Sequence, residues 1–192
     1  MNRATILTIA SVAVVAILVG TSLMIQEANA SGFPSWLKVA SSSEITNPAN
    51  NAAAFSATTN GIIPHRADSF ISENLITGFA WANLATGNAV VAVIHPSLKD
   101  DTQNPQGWHV HTVTLTRQTN SLDTTGAAFC VVSVNSSPET GVAITGNTIS
   151  VGLLQSEMPL GESTSTLTTA TGFVVNSDSS CGGLNLGVYL DP

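Results

Sequence analysis

The sequence predicts an all-β fold, either an antiparallel β-sandwich or a Greek-key barrel, of about eight or nine strands. Short runs rich in Val, Ile and Thr recur, with turn residues roughly every eight to twelve positions. No stretch shows convincing amphipathic helical spacing. Charged residues make up only 9% of the chain while apolar residues make up 43%. This balance is typical of a hydroxyl-rich strand surface over an apolar core rather than of disorder.

The predicted strands are residues 74–81, 88–95, 108–117, 129–135, 142–144, 148–154, 164–175 and 184–190. Turn sequences separate the first from the second and the fifth from the sixth, and each of these pairs is predicted to be a hairpin. Residues 89–94 are apolar at every position, which is typical of a strand buried on both faces.

The first 30 residues are predicted to be a secretory signal peptide. Arg3 supplies the positive charge, residues 4–25 are uncharged, and Ala28-Asn29-Ala30 matches the small-x-small cleavage pattern. The alternative is an uncleaved membrane anchor, since about 20 apolar residues span a bilayer. Either way, the rest of the chain is expected outside the cytoplasm, whether secreted, pseudoperiplasmic or at the cell surface.

Residues 31–68 are predicted to form a polar arm and a connection, and residues 69–192 the β-sandwich domain. The arm is rich in Ala, Asn and Ser and contains Pro34 and Pro48, so little regular structure is expected there. Such an arm offers strand addition to the sheet edge of a neighbouring subunit.

Two cysteines, Cys130 and Cys181, lie in the exported part. An even number in an oxidising compartment predicts one disulfide. Two free thiols or a metal-binding pair are the alternatives, although the spacing is far from a Cys-x-x-Cys pattern. The disulfide would tie the last strand to the strand that carries Cys130.

The net charge of −7 argues against two classes of partner. Nucleic acids and anionic lipid headgroups both require a clustered basic surface. The basic residues of the exported part are few and scattered: Lys38, Arg66, Lys99 and Arg117. A membrane partner is therefore expected only if the leader stays uncleaved.

The stretch Gly107-Trp108-His109-Val110-His111 carries the clearest chemical signal. Alternate residues of a strand share a face, so His109 and His111 lie on one side with Val113 and Leu115. The threonines of the other side predict a solvated face. The two histidines are thus expected to point inward, near the rim where the strand begins.

Two imidazoles on one strand face can bind one metal ion, and neutral imidazole suits copper and zinc. His95, at the end of the preceding apolar strand, is the third candidate ligand, and His65 is a weaker fourth. Asp100 and Asp101 could supply a carboxylate ligand or a hydrogen-bond partner for a ligand. The competing interpretation is that these histidines are hydrogen-bonded structural residues and that Trp108 is a packing anchor.

The segment Gly107 to His111 resembles the Gly-aromatic-His-Val-His strand of copper–zinc superoxide dismutases, in which both histidines bind copper. That family also has a Greek-key barrel and a disulfide reaching the last strand, and Cys181-Gly182 occupies a comparable place. The family needs further histidines and an aspartate after this strand, and no histidine follows His111 here. The resemblance therefore implies copper-type ligation by His109 and His111, without dismutase activity.

A second resemblance rests on His95-Pro96, on Gly107 to His111, and on Phe129-Cys130-Val131. Together these segments resemble uncharacterised exported β-domain proteins of ammonia-oxidising archaea. That resemblance implies an extracytoplasmic β-domain and no known activity.

Two functions follow from these observations. The first is a structural or interaction role as an exported cell-envelope or extracellular β-domain, which binds envelope proteins or self-associates through its N-terminal arm. The second is extracytoplasmic copper or zinc binding through His95, His109 and His111. An enzyme is disfavoured because the chain shows no complete catalytic set and no nucleophile–base pair that can be named.

Overall fold

The computed structural model describes residues 32–47, 51–95, 107–118, 126–136 and 141–190. The leader and the candidate cleavage site after Ala30 lie outside these ranges, so both stay predictions. Within them, none of the helices is long and apolar enough to cross a membrane. The strands are β1 Val39–Asn47, β2 Ala52–Thr59, β3 Ile76–Asn83, β4 Asn88–Ile94, β5 His109–Arg117, β6 Phe129–Ser136, β7 Val142–Thr145, β8 Thr148–Leu154, β9 Thr168–Ser177 and β10 Leu186–Leu190.

The all-β prediction is confirmed, and the strands form two antiparallel sheets. One is a four-stranded sheet in the order β1-β2-β8-β7, and the other is a closed barrel in the order β10-β6-β5-β4-β3-β9. The only α-helix of the described residues is α1, Ser69–Glu73, and single 3-10 turns lie at Ser35–Leu37 and Gln155–Glu157. Both predicted hairpins are present, as β3-β4 and β7-β8.

Two predictions about the N-terminal part were wrong. The described residues contain ten strands rather than eight or nine, because the segment predicted as an irregular arm forms β1 and β2. These strands pair with each other, and β2 also pairs with β8. The β-domain therefore begins at Phe33 rather than at residue 69. The reason is visible in β2, where Ala53, Phe55 and Ala57 alternate with more exposed residues, a period-2 pattern carried mostly by small side chains.

The four-stranded sheet packs against the outer wall of the barrel. One core cluster joins its inner residues, such as Phe55 and Val151, to outward-facing barrel residues such as Trp81, Val90 and Val110. This explains why β4 is apolar at every position, since one face lines the barrel interior and the other lies under the second sheet.

The same packing corrects the prediction that the threonine face of β5 is solvated. Val110 and Thr112 are buried, and Val110 lies within the core that joins the sheet to the barrel. On this face only the C-terminal end of β5 agrees with the prediction, because Thr114 is half-buried and Thr116 is exposed.

The pairing of β6 with β10 closes the barrel and is its shortest seam. Only Gly187 opposite Cys130 and Val188 opposite Phe129 are in register there. Cys130 and Cys181 are bonded beside this seam, with their Cα atoms 5.3 Å apart and both residues buried. A buried disulfide of this kind is compatible with an extracytoplasmic location.

Glu162 stabilises the β3-β4 turn at the other side of the barrel. Its buried carboxylate accepts hydrogen bonds from the side chains of Asn83, Thr86, Asn88 and Thr166, at 3.0, 2.5, 3.2 and 2.6 Å respectively. Burial acts to raise the pKa of this carboxyl group, but the four hydrogen bonds outweigh it and lower the pKa from 4.5 to about 2.

The Cys130→Ser/Cys181→Ser double variant is expected to be less stable by about 4 kcal/mol, since the bond closes a loop across 51 positions. Urea unfolding of both proteins, followed by circular dichroism, measures this difference. An unchanged free energy of unfolding would show that the short seam holds without its covalent link.

Glu162 is expected to make the protein acid-sensitive. A carboxyl group whose pKa is lowered on folding stabilises the protein fully above its unfolded pKa of 4.5, and this contribution is lost as the pH falls toward 2. In Glu162→Gln the loss of stability between pH 5 and pH 2 should shrink, with Glu73→Gln, at an exposed position of α1, as the control. Thermal unfolding of the three proteins across this pH range measures this difference in stability. Equal pH profiles for wild type and Glu162→Gln would show that Glu162 does not cause the acid sensitivity.

Candidate metal centre

The pairing of β4 with β5 brings the three candidate histidines to one face. Val93 lies opposite His109 and Val91 lies opposite His111. Directly opposite residues share a face, as do alternate residues along a strand, so His95 points to the same side as the other two. That side is the barrel interior, because Val91 and Val93 belong to its core cluster. The prediction that His109 and His111 point inward therefore agrees with the structure.

The three imidazoles form one buried cluster. Each offers a ring nitrogen, and these ligand atoms all lie within 4.8 Å of one another. The ring of His109 stands nearly perpendicular to its neighbours, with centroid distances of 4.6 Å to His95 and 4.9 Å to His111. The side chains of His95, His109 and His111 are 2%, 6% and 7% exposed. It is the only such group of potential ligands in the part of the chain that the structure describes.

A backbone contact fixes the tautomer of His109. Its Nδ1 atom lies 3.0 Å from the carbonyl oxygen of Gly107. A carbonyl oxygen can only accept, so Nδ1 carries a proton, and in the neutral ring the lone pair is on Nε2. Metal-binding histidines commonly donate their other ring N–H to a backbone carbonyl in this way. The Nε2 atom, which is buried, is thus the ligand atom that His109 offers.

Trp108 anchors the start of β5. Its Nε1–H donates to the carbonyl oxygen of Pro64 at 2.8 Å. Its ring stacks on Phe79 with the centroids 5.7 Å apart and meets the edge of Trp36 at 6.5 Å. These contacts agree with the packing interpretation of Trp108, and they hold the backbone from which His109 projects.

The other candidates are not part of the cluster in the described residues. His65 is exposed and does not belong to the three-histidine group. Asp100 and Asp101 lie outside the described residues. Sequence reasoning missed the carbonyl of Gly107, since nothing in a glycine indicates that its oxygen will accept from the histidine two positions later.

The geometry suits one ion held by three neutral nitrogens. A tetrahedral zinc or copper ion bound at about 2.0–2.1 Å keeps its nitrogen ligands about 3.3 Å apart. The ligand atoms here, which lie within 4.8 Å of one another, need to approach by roughly 1.5 Å at most to bind one ion. Three ligands leave a fourth position for water, a further side chain or another molecule.

Comparisons of the chain with family models, with curated proteins and with solved structures gave no significant match. The resemblances drawn from the sequence therefore stay predictions. What supports a function is the geometry of the three histidines and of the barrel that holds them.

Proposed function

We propose that this protein is an extracytoplasmic copper- or zinc-binding β-domain, with His95, His109 and His111 as the protein ligands. The observation that carries the proposal is the convergence of three buried ring nitrogens within 4.8 Å. Imidazole is a ligand that both metals accept, and a metal ion gives all three rings one common partner.

The buried position also favours a metal. Each imidazole is buried in the interior of the barrel, among apolar side chains. Neutral imidazole is the form that binds metal. The hydrogen bond from His109 to Gly107 orients one ring for this role, as outer-shell contacts do in metal sites.

A bound ion would also have a structural effect. His95 directly follows β4 and His109 begins β5. An ion bound to both would therefore link the two ends of the connection between these strands. Metal binding of this kind stabilises the folded state because the site does not exist in the unfolded chain. The structural role predicted from the sequence is therefore compatible with metal binding, and both accord with the export leader that the sequence predicts.

Self-association through the N-terminal segment remains a separate prediction. Residues of the predicted arm form β1 and β2, which pair with each other, and β1 lies at an edge of the four-stranded sheet, so this pairing does not exclude strand addition by a second copy. A structural role in the cell envelope stays a prediction from composition and from the leader.

Titration of the mature protein with Cu²⁺ and with Zn²⁺ tests the proposal by calorimetry. We expect one ion per chain, and an affinity at least about 100-fold weaker in His109→Ala/His111→Ala, because two of three ligands are removed. At a free metal concentration of 100 times the dissociation constant, the ion should stabilise wild type by about 2.7 kcal/mol.

His65→Ala is the matched control, because it removes an exposed histidine outside the cluster and should bind metal as wild type does. Circular dichroism of each variant establishes that it is folded. Equal metal affinity of wild type and the folded double variant would disprove the proposal.

A further inference from the structure

The lumen of the barrel, meaning the space enclosed by β3 to β6, β9 and β10, is not filled. A cavity of about 180 Å³ lies at the histidine end, and a second of about 530 Å³ lies at the end of the β3-β4 turn. Both are lined by Ala80, Leu115, Phe173 and Val188, so they adjoin inside the barrel.

Small side chains account for this space. Protein interiors are normally close-packed, with few voids larger than a water molecule. The inward positions of the barrel are occupied largely by alanine and valine: Ala80, Ala89, Val91, Val93, Val113, Val131, Val175 and Val188. Phe173 is the only aromatic residue among the fully buried members of this cluster.

The lumen is mainly apolar between two ends that carry polar side chains, the histidines at one end and Asn83, Thr166 and Thr171 at the other. His95 and His111 are the only polar side chains among the described residues that line the 180 Å³ cavity. No charged side chain of the described residues lines either cavity. A cationic ligand would therefore be desolvated without an ion partner, and an anionic one would meet a counter-charge only at the bound metal ion, so a neutral apolar ligand is desolvated at the least cost.

The end opposite the histidines offers an entrance. It is formed where β3, β5 and β10 end and where β6 and β9 begin, and these ends line the larger cavity. Leu84, in the β3-β4 turn, lines this cavity and is 73% exposed. An exposed leucine beside an apolar cavity is suited to the first contact of an apolar molecule.

We propose that the lumen binds a small, neutral, largely apolar molecule with one donor atom, a nitrogen or a sulfur, and that this atom becomes the fourth ligand of the metal. The inference rests on the proposed metal site for its coordination step. The volume of the cavity at the histidine end limits the size of this molecule, since an apolar cavity of about 150 Å³ accommodates benzene. The donor's lone pair forms the bond to the ion, and any water at that position leaves.

Pyridine and benzene form a matched pair of probes, because they share one shape and only pyridine has a donor atom. Titration of the copper-loaded protein at pH 8, where pyridine is neutral, is expected to give at least about tenfold tighter binding of pyridine than of benzene. Pyridine should also shift the visible absorption of the bound copper, and benzene should leave it unchanged. In the metal-free protein the two affinities should be similar.

Two variants locate the binding in the lumen. Ala80→Leu and Val188→Leu each add bulk at a residue that lines both cavities, and each should weaken both probes by at least about tenfold. Both variants should keep the copper affinity of wild type, since neither residue is a ligand. Ala54→Leu, at an exposed position of β2, is the control and should bind both probes normally.

The outcomes separate this inference from the proposed function. If copper binds but neither probe does, or if pyridine shifts the absorption equally in a folded lumen variant, the inference is wrong and the metal site stands. If copper does not bind, the proposed function fails and the coordination step fails with it.

Discussion

The register between β4 and β5 is the constraint on which the candidate site depends. Val93 opposite His109 and Val91 opposite His111 place every second residue of both strands inside the barrel. A slip of one residue would exchange the two faces of a strand. It would carry the imidazoles out of the lumen and bring outward side chains, such as Ile94, into it.

This register is well specified because both faces of the strands are buried by different partners. The outward face contacts the four-stranded sheet through Val90, Val110 and the aromatic residues around Trp108. The inward face packs among the residues that line the lumen. An exchange of faces would break both sets of contacts and the hydrogen bond from Trp108 to Pro64, so it is unfavourable. The closed barrel then positions His95, which follows β4, beside the first histidine of β5.

Part of this arrangement could be predicted from the sequence and part could not. The alternation of His109, His111 and Val113 predicted a shared inward face, and the apolar run of β4 predicted burial on both sides. The four-stranded sheet was missed in β1 and β2, because alanine, serine and threonine give a weak alternation that resembles a polar loop. The lumen was also missed, since a cavity depends on how far apart six strands lie and not on the pattern of any one of them.

The central claim is that His95, His109 and His111 bind one metal ion, and X-ray absorption spectroscopy of the copper-loaded or zinc-loaded protein tests it most directly. The spectrum reports the number, type and distance of the ligands. The claim predicts three imidazole nitrogens at about 2.0 Å, with the outer-shell scattering typical of histidine rings. A spectrum that requires one imidazole or none would contradict it.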